Sequence, residues 1–348
     1  MTPHFLNGII KYMSGKIKAG VLLDKLSSAI NIFNKEMELL NNKIKTIGLN
    51  NGIQNQLTGA VVSLIDECKA IDNLPPGKLS PSELGQLKSA FRNSTFKWFM
   101  QSYCIRRSYD KPQGYAGDFA IIDSIYRNVP TGKNIGLALD KYYLENVGSR
   151  AMRSRESFIV ESASSFIRSK LAVKKEHISL IDIGSGPGRD IKDIFDKTGP
   201  IKAILMDRDR EALDYSEKIL APYKNSIIFK QVNLLRIMAG EKFNAGKFGT
   251  HDLIMCVGLY DYLDHDTSVR LTRSLYPMLK NGGTMIISNW DISNPSRTEL
   301  EWVCDWNVYH RTEKDMRCIL TDTKIPHKNI NLTRDPSGHF HVVFISKS

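Results

Sequence analysis

The sequence predicts an α/β protein: a doubly wound, mostly parallel sheet with an antiparallel C-terminal hairpin, preceded by an all-helical N-terminal domain. Three observations predict it. Apolar residues recur only at helical spacing through residues 1–172. From Ile178 onward, near-continuous apolar runs alternate with amphipathic stretches, as in parallel strands buried on both faces. Between the first run and the helix after it stands a glycine-rich turn, LIDIGSGPGRD over 180–190. Together these place a helical domain at 1–148 and a Rossmann-like sheet domain at 149–348.

In the first half, Leu22, Leu23, Leu26, Ile30, Phe33, Met37, Leu40, Ile44 and Ile47 mark one face of a long helix that breaks at 48–52. A second helix covers 54–71 and stops at Leu74-Pro75-Pro76-Gly77. Ser80-Pro81-Ser82-Glu83 opens the next, with a serine cap, a proline in the first turn and a glutamate placed for a capping box. Two helices run on to Tyr109, 110–118 (DKPQGYAGD) reads as a loop, and helix resumes over 119–128, 135–146 and 150–171. Strands are predicted at 177–183, 201–206, 226–232, 252–257 and 284–289, with helices at 190–196, 210–220 and 268–279. Strands at 329–332 and 339–346, joined by Asp335-Pro336-Ser337-Gly338, make the closing hairpin.

The net charge of +11 is concentrated early: residues 1–150 hold 19 Lys and Arg against 12 Asp and Glu, and the remainder 29 against 25. Such an excess attracts nucleic acid, anionic lipid or an acidic substrate. No run of four basic residues occurs, and aromatics do not alternate with basics as on a base-stacking surface. A solvated, lysine-rich surface is therefore the plainer reading, and nucleic acid is not the expected partner. The five cysteines (Cys68, Cys104, Cys256, Cys304, Cys318) stand far apart and predict neither a metal site nor a disulfide framework. The opening MTPHFLNGIIKYMSGK lacks the apolar core of a signal peptide, and no stretch approaches the ~20 apolar residues of a membrane span. A cytoplasmic location is expected, with the N-terminal helices as a candidate homodimer surface.

In Asp182-Ile183-Gly184-Ser185-Gly186-Pro187-Gly188, three glycines alternate directly after a strand, where a tight turn lets backbone approach a ligand that side chains would block. A dinucleotide fingerprint would put its third small residue at 189, but Arg189 stands there and Gly188 falls one place early. The spacing resembles the G-x-G-x-G of class I S-adenosylmethionine-dependent methyltransferases. Asp207 ends the next strand about 20 residues on, where a carboxylate can accept both ribose hydroxyls. Asn233 follows the third strand, where its amide can accept from the adenine amine. S-adenosylmethionine is the expected cofactor, held by Asp182, Gly184, Ser185, Gly186, Gly188, Asp207, Arg208, Asn233, Leu234 and Gly258, and no metal is expected.

The fourth strand end reads Gly258-Leu259-Tyr260-Asp261-Tyr262-Leu263. It lacks the [DN]-P-P-[YF] of enzymes acting on nucleobase amines, the Pro-Cys of a covalent cytosine mechanism, and the His/carboxylate cluster of magnesium-dependent catechol enzymes. It resembles the G-L-[FY]-D-Y-L of bacterial methyltransferases that make 3-hydroxypalmitic acid methyl ester, a quorum signal. Gly114-Tyr115-Ala116-Gly117-Asp118 is similar to their [RK]-G-Y-A-G-D-[FY], with Gln113 at the basic position. Arg153-Ser154-Arg155 is similar to the R-x-R before their cofactor domain. Asn294-Pro295-Ser296-Arg297, Glu301-Trp302, Asp305-Trp306 and Tyr309-His310-Arg311-Thr312 resemble their N-P-[ST]-R…E-W…D-W…Y-R-[ST] tail. The likeness covers about residues 95–348 and implies a class I fold and methyl transfer to a small molecule, with the acceptor left open.

Within these segments Tyr115 can pack against cofactor or substrate, and its ring would attract a sulfonium. Arg155 can fork onto the cofactor's methionine carboxylate or an acceptor carboxylate. Trp302 and Trp306, four apart, share a helix face and read more readily as core than as pocket. The substrate candidates are Tyr115, Asp118, Tyr260, Asn289, Trp306, Tyr309 and Arg311. Tyr260 is expected to face the methyl group, and Asp261 or His310 to act as base if one is needed; His265 is expected to be exposed. Methyl transfer from a sulfonium is an in-line displacement, so only a nucleophile that carries a proton needs a base. A carboxylate or hydroxyl oxygen is the favoured acceptor, with the N-terminal helices as lid and part of the pocket. An amine or guanidinium is the alternative if Asp118 and Asp261 flank the acceptor, and RNA methylation through the basic N-terminal region is the third reading.

Overall fold

A computed structural model describes residues 19–173, 177–233 and 245–348. They form two compact units, each assembled from separated stretches of chain. The described part of Met1–Pro112, with Pro130–Leu144 and Ser296–Trp306, makes a helical unit; Gln113–Val129, Glu145–Pro295 and Asn307–Ser348 make a sheet unit.

Numbered in chain order, the helical unit contains α1 (Ala19–Ile47), α2 (Asn51–Asp72), α3 (Pro81–Phe99), α4 (Tyr103–Asp110), α6 (Ile135–Glu145) and α11 (Arg297–Trp302). Helix α1 buries Leu26, Ile30, Phe33, Met37, Leu40 and Ile44 along one face, while Leu23 and Ile47 of the predicted stripe are exposed. Asn50 caps α2 by accepting from the Ile53 N–H at 3.0 Å. The capping box at Ser80 and Glu83 forms as predicted, with the Ser80 N–H donating to Glu83 at 2.8 Å. Phe33 stacks on Phe99 at 5.3 Å, and Phe91 meets Phe99 at 6.0 Å and the edge of Trp302 at 5.6 Å. Asp140 is fully buried and joins three segments. It accepts from the Ser102 hydroxyl and from the N–H groups of Cys104 (3.2 Å), Thr131 (3.2 Å) and Gly132 (2.7 Å).

Helix α11, expected only as a helix carrying Trp302 and Trp306 on one face, overturns that expectation. It ends at Trp302, so Trp302 and Trp306 do not share a helix face. Between the two tryptophans the chain leaves the helix, and Asp305 adopts a left-handed φ of 49° with its carboxylate held by Arg92 (3.1 Å) and Lys111 (2.7 Å). The Trp302 indole donates to Asp72 at 3.0 Å, Thr298 donates to Asp72 at 2.7 Å, and Arg92 Nε donates to the Trp302 carbonyl at 2.9 Å. Much of the tail motif thus fastens this segment to the other helices of its unit.

The sheet unit contains α5 (Phe119–Arg127), α7 (Val147–Val173), α8 (Arg189–Lys197), α9 (Arg210–Ile219), α10 (His265–Leu275) and α12 (Glu313–Asp322). Its strands are β1 (Ile178–Ile183), β2 (Ile201–Asp207), β3 (Ile227–Gln231), β4 (His251–Cys256), β5 (Leu279–Trp290), β6 (Ile330–Arg334) and β7 (Phe340–Ser346). The order is β3-β2-β1-β4-β5-β7-β6, parallel through β5, with β7 antiparallel to both β5 and β6. This is the predicted doubly wound sheet with its antiparallel hairpin. Alternation along β1 sends Ile178 and Leu180 to one core, with Ile159 and Ala163 of α7, and Ile181 and Ile183 to the other, with Leu271 of α10 and Met316 of α12. Helix α12, which was not predicted, begins with a second capping box, Thr312 and Asp315. Among the described residues no helix is long and apolar enough to cross a membrane.

Candidate active site

The strand order reverses at β1, whose neighbours are β2 on one side and β4 on the other, so a crevice opens beyond its carboxyl end. The glycine turn stands there. The N–H groups of Gly184 and Ser185 donate to the Met206 carbonyl at 2.8 and 2.9 Å, tying the turn to β2. The Gly186 peptide is gripped from both sides: its N–H donates to Asp207 Oδ2 at 2.8 Å and its carbonyl accepts from Ser216 Oγ at 2.9 Å. Gly186 has a φ of +51°, and a Cβ placed on it would meet no atom within 4 Å, so its open side faces the crevice. Gly188, at φ +66°, is closed off instead: a Cβ there would lie 3.0 Å from Ser216 Oγ.

Asp207 Oδ1 accepts from the Asp209 N–H at 2.9 Å, so each carboxylate oxygen takes one backbone bond and keeps capacity for another. Burial raises the Asp207 carboxyl, opposed by the N–H groups of Asp209 and Gly186. Asp182 is 2% exposed, and burial with neighbouring Asp190 and Asp207 holds it well above the usual carboxylate range. Asp182 Oδ2 and Ser185 Oγ are buried with no hydrogen-bond partner in the chain. An open glycine wall, two unsatisfied polar atoms and a carboxylate with spare lone pairs fit a cofactor with a ribose and an amino-acid tail.

On the β2 side, the Arg208 guanidinium lies 4.4 Å from the Tyr115 ring centre and donates to the Gln113 carbonyl at 3.0 Å. On the β4 side, Tyr262 meets Tyr115 edge-on at 6.4 Å. Burial, then Asp207, raises the Tyr115 hydroxyl well above its ordinary value. Asn233 is exposed and lines a hollow with Gln113, Arg208, Glu211 and Gln231. Leu234 lies outside the described residues. Arg155 is buried beside Gly258, a Cβ on which would lie 3.9 Å from the guanidinium. Arg155 donates to the Tyr126 hydroxyl at 3.1 Å, stands 3.8 Å from Asp261 and packs 4.4 Å from the Phe340 ring centre; its Nε has no partner. A buried guanidinium with an unmet donor favours an anionic group.

Several expected site residues are placed differently. Tyr260 is 1% exposed within the apolar core, its hydroxyl 2.7 Å from Thr272, rather than facing the crevice. Asp261 accepts from the Trp290 N–H at 2.8 Å, and burial raises its carboxyl to about 6. His310 Nε2 accepts from the Asn294 amide at 3.0 Å. Asn289 and Arg311 form an internal frame in place of a substrate surface. Asn289 Nδ2 donates to the Tyr309 carbonyl at 2.7 Å and its oxygen accepts from Arg311, which also donates to the Tyr260 carbonyl at 2.9 Å and to the Leu263 carbonyl. Asp118 is fully buried as the cap of α5, accepting from Ala120 and Ile121 at 3.1 Å each. Tyr309 is 51% exposed, and Trp306 is buried in the helical unit. His265 is exposed, as expected, and pairs with Asp322 at 2.8 Å.

Two contributors escaped the sequence. Ser216 carries no local signal, because its contact is with a carbonyl 30 residues earlier. Arg189 was legible only as a residue too large for a dinucleotide turn. Its Nε pairs with Asp123 on α5 and its NH2 donates to the Tyr215 hydroxyl at 3.0 Å. Among the described residues no group of His, Cys, Asp or Glu is placed to hold a metal ion.

A family model described as "Putative methyltransferase" matches residues 109–316, more than half of the chain, which therefore belongs to that methyltransferase family. With a turn of the G-x-G-x-G kind, the methyl donor of such an enzyme is S-adenosylmethionine. No curated protein is similar enough to count as a match. Among solved structures, an O-methyltransferase family protein from Burkholderia thailandensis is 12% identical over 100% of this chain and 99% of its own, with a TM-score of 0.47. Magnesium protoporphyrin IX methyltransferase from Synechocystis PCC 6803, with bound SAH, is 15% identical over 70% of this chain and 98% of its own, at 0.46. The plantazolicin methyltransferase BpumL, in complex with SAH, is 15% identical over 74% and 99%, at 0.45.

Proposed function

We propose that the crevice at β1 holds S-adenosylmethionine and that the methyl group passes to an oxygen of a small-molecule acceptor, a carboxylate before a hydroxyl. The cofactor supplies an electrophilic methyl carbon on a sulfonium. The chain's part is then to hold, align and dehydrate. The glycine turn leaves room for the amino-acid tail, Asp207 accepts from the ribose, Asn233 stands at the adenine end, and Arg155 anchors a carboxylate beside Gly258. Tyr115 lends an aromatic face to the sulfonium.

One observation carries the choice of acceptor. The two groups expected to serve as base are already engaged, Asp261 with the Trp290 N–H and Arg155 and His310 Nε2 with Asn294, and the Tyr260 hydroxyl expected at the methyl group meets Thr272. A carboxylate acceptor arrives ionised and needs no proton removed. The amine alternative called for Asp118 and Asp261 beside the acceptor, and both carboxylates serve backbone N–H groups instead. The resemblance to the 3-hydroxypalmitate methyl ester enzymes agrees with an ester product. The test is incubation with methyl-labelled S-adenosylmethionine and a panel of hydroxy acids, amines, guanidines and RNA. Label released as methanol by mild alkali supports the ester, whereas alkali-stable label on nitrogen or RNA refutes it.

A further inference from the structure

Three arginines stand around the crevice, and each reaches the same stretch of chain. Arg208, directly after Asp207, holds the Gln113 carbonyl and the face of Tyr115. Arg189, directly after Gly188, pairs with Asp123 and donates to the Tyr215 hydroxyl at 3.0 Å, while that hydroxyl donates to Asp123 at 2.8 Å, closing a ring of three contacts. Arg155, beside Gly258, donates to the Tyr126 hydroxyl at 3.1 Å. The stretch so held is 113–129: a loop, then α5, capped at its start by Asp118 and stopped by Asn128 in a left-handed conformation at φ 52°.

The loop of this stretch reaches across the cofactor turn at Tyr115. Strands β2 and β4 flank β1, and neighbouring strands lie ~4.8 Å apart. Tyr115 touches Arg208 after β2 and Tyr262 after β4, so its ring bridges the end of β1 where Gly184, Ser185 and Gly186 stand. A bound cofactor would lie beneath it.

We infer that residues 113–129 form a clasp over the crevice, latched by the ring of Arg189, Asp123 and Tyr215, which must open for the cofactor to enter and S-adenosylhomocysteine to leave. The inference rests on the S-adenosylmethionine reading above. Arg189 is in this sense a positioning residue: its place in the chain couples the turn to the clasp. The ring is partly screened from water, with the Arg189 and Asp123 side chains 24% and 10% exposed.

The test uses the full chain, loaded with labelled S-adenosylhomocysteine and chased with excess unlabelled ligand. Asp123→Asn and Tyr215→Phe should each release label about fivefold faster than wild type, the scale of losing one partly screened polar contact. Tyr215→Phe keeps the Arg189–Asp123 pair, so it serves if Asp123→Asn does not fold. Amide exchange over 119–127 should slow when S-adenosylhomocysteine binds the wild type, and slow less in either variant. Release within about twofold of wild type in the folded variants, or exchange over 119–127 that ignores the ligand, overturns the clasp while leaving the cofactor reading intact. Wild-type protein that binds neither S-adenosylmethionine nor S-adenosylhomocysteine overturns both.

Discussion

Replacing Asp207 with alanine removes the acceptor of two backbone N–H groups, Gly186 at 2.8 Å and Asp209 at 2.9 Å. Leaving two such donors without their charged partner costs roughly 2–4 kcal/mol of stability. If the same carboxylate accepts the ribose hydroxyls, the variant also forfeits two charge-assisted bonds to the ligand, about 2–4 kcal/mol net, which is roughly 30- to 1000-fold in affinity. Asp207→Asn should fall between, since its amide keeps one accepting oxygen but turns an N–H₂ toward one of the donors. Calorimetric titration with S-adenosylhomocysteine, paired with thermal melts, separates affinity from folding. Ser216→Ala is the control, because it frees the Gly186 carbonyl while leaving Asp207 in place. Affinity of Asp207→Ala within about threefold of wild type would refute the ribose assignment. A loss no greater than that of Ser216→Ala would show that Asp207 acts only by shaping the turn.

Two further outcomes follow from burial. Burial, with Asp190 and Asp193 adding, raises the Glu156 carboxyl from 4.5 to about 7. A carboxyl raised in the folded state contributes stability that is full below pH 4.5 and is lost as pH rises to about 7. Glu156→Gln should therefore be more stable than wild type by about 1–2 kcal/mol at pH 8, after allowing for its partial exposure, and equal to it at pH 4. Urea melts at the two pH values check this, and an advantage that does not depend on pH would sink it. Asp140→Ala strands the N–H groups of Cys104, Thr131 and Gly132. It should cost about 3–5 kcal/mol, read by tryptophan fluorescence during urea unfolding, and a loss below about 1 kcal/mol would contradict the hub role.

The sheet was legible because its central strands β1 and β4 bury both faces and so read as nearly unbroken apolar runs. Strand β5 was read short, at 284–289 against Leu279–Trp290, since Lys280, Asn281 and the two glycines interrupt the apolar signal where the pairing with β4 is irregular, between Leu279 and Thr284. The extent of helix α11 escaped because its six residues are placed by contacts with Asp72 and Arg92, more than 200 positions earlier. Helix α12 carried the same kind of capping box that located α3, so that signal was present and unread. At the site, the positions of the glycine turn and Asp207 followed from strand-end spacing. The inward turn of Tyr260, Asn289 and Arg311 did not, because a motif at a strand end does not say which of its side chains faces the ligand. That depends on partners such as Thr272 and Leu263, brought near only by the completed sheet.

The division of the helical unit among three stretches of chain bears on how the protein is made. Its first stretch is synthesised by Pro112, but Trp302, which meets Phe91 and donates to Asp72, arrives about 190 residues later, roughly 10–40 s at ribosomal rates. During that interval the nascent helices present an uncovered aromatic face and an unsatisfied Asp72, while β1 to β5 emerge and pair. The synthesis of the two units is thus interleaved: the unit begun first is finished only after five strands of the second exist. A fragment cut at the end of the first helical stretch would lack its own last wall.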